Sequence, residues 1–214
     1  VIKMVEKYYG SIKRCPEVKM PEKWMVTLDK DRYISYEDNI RFPLIQMVYP
    51  TVHAHHPDEA PLDILGTILG GGQNSIFYTN LVKTQKALSA NVESPCFEMA
   101  GQFSMKALPS PGNTLAQMEI MMRDALKEFG KKGVSDDDLA RFKGSFESDR
   151  ISELSSVSGK AEKLSNNEML MGNPSYIKQD LERYLNVTKE DIMRVYNKYI
   201  KDKPMVVLSV YPKG

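Results

Sequence analysis

The stretch Leu69-Gly70-Gly71-Gly72-Gln73-Asn74-Ser75-Ile76-Phe77-Tyr78 decides how this chain is organised. Three consecutive glycines stop any helix that runs into them, because glycine readily leaves helical backbone angles. Upstream, Leu62, Leu65, Ile68 and Leu69 recur at helical spacing and give one apolar face. Downstream, Asn74-Ser75 restarts a helical segment carrying Ile76, Phe77, Leu81 and Val82. A glycine run also invites a phosphate-loop reading. That reading fails, since Gln73-Asn74-Ser75 follows where Gly-Lys-Ser/Thr is required, and the run lies between helices rather than after a strand. The plain reading is a turn that needs a positive φ or a close backbone approach. A third reading is that small residues here let another chain's backbone come near.

Working outward, Pro57-Asp58-Glu59 opens the glycine-ended helix, with Pro suited to a first turn and acids to the positive end of the dipole. Before it, Phe42 to Tyr49 reads as a strand ended by Pro50, and its apolar character suggests burial on both faces. Met25 to Leu28 and Arg32 to Tyr36 alternate like strands, with Asp29-Lys30-Asp31 as a turn between them. After the glycine turn come strands over Leu88 to Val92 and Phe97 to Leu108, parted by Ser94-Pro95. A helical block follows, over Thr114 to Lys131, Ser135 to Leu154, Lys160 to Met171, Ser175 to Leu185 and Thr188 to Ile200. Met205 to Tyr211 is a last strand, apolar enough to insert back into the sheet. This order does not alternate strand with helix, so it is not a doubly wound fold. It predicts an α+β domain: one mainly antiparallel sheet with helices packed on one face.

Bulk properties exclude several classes of function. The 214 residues carry 29 basic and 28 acidic side chains, a net charge of +1, with no basic stripe for nucleic acid. No apolar run approaches the roughly 18–20 residues of a membrane span. The chain opens directly in helical periodicity from Val1 to Tyr9, halted at Gly10, with no capping residue before it. The expectation is a helix whose beginning lies upstream. Residues 1–23 are therefore assigned to the end of a preceding domain's helix plus a linker, and 24–214 to a single domain. The compartment is left open, with a periplasmic or otherwise exported bacterial setting as one expectation.

The side chains that could carry catalysis are few. His53, His55 and His56 are the only three histidines, and they share one loop, expected to be solvated. His56-Pro57-Asp58-Glu59-Ala60 matches His-x-x-Glu, but Ala60 stands where the inverted zincin motif needs its second His. A zinc site with an activating carboxylate needs three ligands from separated positions, and one loop cannot supply them. No Gly-x-Ser-x-Gly elbow occurs, and Cys15 and Cys96 fit no zinc spacing. Whether the two cysteines pair is open at this point. Met118 to Met122 reads as core or interface rather than a cofactor box.

Taken whole, Leu69 to Tyr78 with Leu81-Val82 resembles the signature of the insulinase/pitrilysin zinc peptidases and their mitochondrial processing relatives. There, too, a helix ends in a Gly-rich turn and the next helix opens at once. Val5 to Ile12, His56 to Ala60, Gly133 to Leu139 and Leu208 to Pro212 resemble further family segments in the same order. The resemblance covers nearly the whole chain and implies the non-catalytic second domain of a half-molecule. It implies no cofactor in this chain, zinc held by an upstream catalytic domain, and a facing homologous half that closes a chamber around unfolded peptide. It also implies an exosite for the substrate at Gly71, Gly72, Gln73 and Asn74, with the backbone of Ala90, Asn91, Val92 and Glu93. Ile76 stands where many members have Arg, and Ser89 near a Tyr position, which puts a direct catalytic assist in doubt. The alternative is a structural or assembly subunit related to the family, without a proteolytic role.

Overall fold

The computed structural model describes residues 1–16, 19 and 21–213. Helix α1 (Ile2–Tyr9) precedes strands β1 (Arg32–Asp38) and β2 (Leu44–Thr51), then helix α2 (Glu59–Gly70). A single π-helical turn, Tyr78–Val82, leads into β3 (Ala87–Glu93) and β4 (Gly101–Pro109). Helices α3 (Leu115–Lys132), α4 (Asp136–Ser155), α5 (Val157–Met171), α6 (Ile177–Leu185) and α7 (Lys189–Val195) follow. A second π-helical turn, Tyr196–Ile200, continues α7 before the last strand, β5 (Val206–Pro212).

The five strands form one sheet in the order β1-β5-β2-β4-β3. The last strand does insert: β5 runs parallel to β1 on one side and antiparallel to β2 on the other. All other pairings are antiparallel. One row of the sheet, Val207–Met47–Met105–Val92, crosses four strands and is buried throughout. Leu62, Leu65 and Leu69 of α2 and Met118, Met122 and Phe129 of α3 complete that core. The α+β reading therefore holds, with helices on one face.

Four local expectations are corrected. β2 is buried on one face only: Ile45, Met47, Tyr49 and Thr51 point into the core, while Leu44, Gln46, Val48 and Pro50 are half-exposed. Its apolar run served a central position between two neighbours, not a second covering layer. Pro50 does not end β2 but lies inside it, opposite Gln102. β5 has already run out there, its ladder covering only Leu44 to Val48, so the missing N–H costs no bond on that side. Met25 to Leu28 form no strand, and β4 begins at Gly101 rather than Phe97. A Cβ at Gly101 would lie 2.1 Å from the Val52 carbonyl, so regular pairing starts where a residue without a side chain lets β2 close in.

The helical layer is held by buried polar contacts as much as by apolar ones. Asp58 stands before α2 but makes no side-chain capping bond. It accepts instead from Arg194 (2.6 Å), Lys198 (2.9 Å) and Tyr199 (2.6 Å). Burial alone would raise its carboxyl, but those three donors outweigh it and hold Asp58 well below the usual carboxylate range. Helix α4 buries none of its residues fully. The α4–α6 block is fastened by Phe146 stacked on Tyr184 (4.2 Å), by the Arg183–Glu59 ion pair, and by Tyr184 donating to Asp63 (2.6 Å). Burial raises the Asp63 carboxyl to about 7 despite that hydrogen bond.

Asp63 gives a pH signature. From about pH 4 to pH 7 the unfolded chain has released this proton while the folded chain keeps it, so this group makes stability fall as pH rises. Asp63→Asn keeps an acceptor for Tyr184 and removes the fall. In urea unfolding, the variant gains on the order of 2–4 kcal/mol over the parent between pH 4 and pH 8. Comparing the two cancels the contribution of His55 and His56, which burial shifts downward. Parallel stability curves for the two proteins would contradict the assignment.

Candidate functional site

The glycine turn and β3 meet at a single point. A Cβ added at Gly70 would lie 2.2 Å from the Val92 nitrogen and 2.7 Å from its side chain, so no other residue fits there without moving β3. At Gly71 a Cβ would lie 2.7 Å from the Thr67 carbonyl oxygen, and Gly72 holds φ +78°. Ser75 fixes the far end: its hydroxyl donates to the Gly72 carbonyl (2.7 Å) and accepts from the Tyr78 N–H (3.3 Å). The two expected segments, Gly71 to Asn74 and Ala90 to Glu93, are thus neighbours. Both readings of the glycine run apply, to different residues: close approach at Gly70, positive φ at Gly72. Gly70 and Ser75 were absent from the expected site. The adjacency of Gly70 and Val92 left no trace in the sequence.

β3 is the terminal strand on its side of the sheet and pairs with β4 alone. Among the described residues no strand pairs its outer edge. Ala90 and Val92 point into the core, and Leu88, Asn91 and Glu93 stand exposed. Gln73 and Asn74 are exposed in the turn. On its other flank the turn borders a cleft of about 250 Å³ against α4, with Phe142, Phe146, Arg141 and Asp149 opposite Gly71, Asn74 and Ser75. Ile76 is half-buried and packs against the core.

The histidine loop is only partly solvated, which narrows the expectation: all three histidines are half-buried. His55 Nδ1 accepts from Arg183 (3.0 Å), and His56 Nδ1 accepts from the Asp58 N–H (3.0 Å). Those bonds use the lone pairs that a metal would need. Among the described residues no group of three or more His, Cys, Asp or Glu side chains is arranged to hold a metal ion. The described side chains of this chain do not fit the zinc, which the resemblance assigns to an upstream domain. Cys15 and Cys96 are separate free thiols. Burial pushes the Cys96 thiol up to about 12, far from a reactive thiolate.

The description "Peptidase M16 inactive domain" matches residues 1–146, and the chain belongs to that family. It is 26% identical over 219 residues to the zinc protease PqqE of Helicobacter pylori, covering 99% of this chain and 48% of that protein. The crystal structure of a protease from Helicobacter pylori superimposes with a TM-score of 0.85 at 22% identity, over 99% of this chain and 52% of that one. A peptidase M16 inactive domain from Pseudomonas fluorescens gives a TM-score of 0.76 at 16% identity, over 92% and 47% of the two chains. The chain spans about half the length of these three relatives.

The two glycine roles separate by mutation. Gly70→Ala forces a backbone clash and costs at least about 3 kcal/mol in chemical unfolding. Gly72→Ala meets nothing within 4 Å, so only the positive φ counts, at about 1 kcal/mol. Equal costs would remove the argument that Gly70 sets the spacing between turn and strand.

Proposed function

We propose that this chain is the peptide-holding, non-catalytic domain of a zinc metallopeptidase. In this reading residues 1–23 are the end of the preceding domain and its linker, consistent with an α1 that buries none of its residues against the rest of the chain. Zinc is supplied by that upstream domain, and a facing homologous half closes the chamber. The carrying observation is the open outer edge of β3, held in place by Gly70. An extended peptide adds to such an edge through main-chain hydrogen bonds, so affinity comes with little demand on its sequence. The small or polar side chains of Ser89 and Asn91 do not crowd an incoming backbone. Ile76 packs inward and offers no cation to a scissile peptide, which favours holding over chemical assistance. The zinc-protease name of the PqqE relative supports the parent activity.

The purified chain tests this with extended decapeptides. Scrambling their side chains changes affinity by less than about threefold, whereas N-methylating a central peptide bond weakens binding about fivefold to tenfold. No cleavage accompanies binding, with or without added zinc. Tolerance of N-methylation, or hydrolysis that a chelator abolishes, contradicts the reading.

A further inference from the structure

A second cleft, of about 300 Å³, opens on the helical side of the sheet between the C-terminal end of α3 and the loop entering β5. It lies at β2, two strands away from the β3 edge, and is distinct from the turn site. Its floor is apolar and aromatic: Tyr49, Leu126, Tyr196 and Ile200, each no more than 5% exposed. Its rim is basic: Arg123, Lys127, Lys131, Lys201 and Lys203 face a single acid, Asp202.

We propose that this cleft binds a carboxylate carried on an apolar body. Two of the rim cations are already neutralised, Arg123 by Asp31 and Glu119 and Lys127 by Asp124. Lys131, Lys201 and Lys203 enter no ion pair among the described residues, so the rim carries uncompensated positive charge. A lysine in the last turn of a helix is common, because it meets the negative end of the dipole, and that alone would explain Lys131. It does not explain Lys203, which lies past the helix ends, converging on the same cleft.

Tyr49 is the second, independent observation. It is 3% exposed and lines the cleft, yet its hydroxyl has no hydrogen-bond partner among the described residues. The neighbouring phenol of Tyr196 is satisfied, donating to the Leu126 carbonyl (2.8 Å). The Tyr49 hydroxyl is not itself a buried unpartnered atom, so it opens onto the basic cleft, where it is free to donate to an anion. Gly130 keeps the wall low, since a Cβ there would lie 2.6 Å from the Tyr196 hydroxyl. An anion seated here accepts from Tyr49 and from the lysines, while Leu126 and Ile200 cover an aliphatic or aromatic group attached to it. The last residue of a peptide and a free aromatic acid share that chemistry. A bare phosphate satisfies the rim and leaves the floor unused.

Titration of the purified chain followed by amide NMR tests this with N-acetylphenylalanine, its amide, inorganic phosphate, and a tetrapeptide ending in Phe. The expected result is saturable binding of the acid, with shifts at residues 49, 130 and 200–203, and at least about tenfold weaker binding of the amide. Tyr49→Phe weakens the acid about tenfold without altering the fold, and the double variant Lys201→Gln/Lys203→Gln removes the preference for acid over amide. Binding of the tetrapeptide as tight as that of the acid assigns the cleft to chain ends. Its exclusion while the acid binds assigns it to small free acids. Equal affinity for acid and amide, phosphate binding as tight as the acid, or an unchanged Tyr49→Phe variant overturns the proposal.

Discussion

The contact on which the rest depends is the near-touch of two backbones, where α2 ends at Gly70 and β3 passes at Val92. A single methyl group at position 70 would overlap the strand's own nitrogen. This one spacing closes the core beneath Leu69 and Val92, both buried, at the outer strand of the sheet. A glycine turn and an edge strand, each ordinary alone, are brought together where no side chain separates Gly70 from Val92.

The helical layer follows a different logic. Its apolar contribution is uneven, since α3 buries Leu115, Met118, Met122, Ala125, Leu126 and Phe129 while α4 buries nothing fully. The start of α2 compensates with charged and polar contacts. Asp58 gathers Arg194, Lys198 and Tyr199, Glu59 takes Arg183, and Asp63 takes Tyr184. Three acids within two turns of one helix thus reach the π-helical end of α7 and the face of α6. Buried ion pairs add little net stability, but removing one partner strands the other, so such pairs select a single arrangement. His55 and His56 are drawn into the same network through their Nδ1 atoms, one held by Arg183 and the other by the Asp58 N–H.

Much of this was legible in the sequence. The helical block was readable because its caps are local: Thr114 with Gln117 and Thr188 with Asp191 form capping boxes within four residues. The return of β5 followed from its apolar run, which needed burial. The glycine turn was readable as a break, and its resemblance to a known signature pointed to β3. What escaped were features that depend on distant partners. Pro50 looked like a strand end because nothing nearby reveals that β5 has run out beside it. The three histidines looked solvated because Arg183, which holds His55, lies 128 positions away. Tyr49 and Lys203 share a cleft only after α3 and β5 have been placed on the same sheet.

The central claim is that the outer edge of β3 is the surface that receives peptide. Amide hydrogen exchange across Ala87 to Glu93, measured on the purified chain with and without a saturating extended peptide, addresses it most directly. Binding should slow the outward-facing amides of β3 markedly and leave those of α5 and α6 unchanged. Saturated peptide with β3 exchanging as before, and protection appearing elsewhere, would contradict the claim.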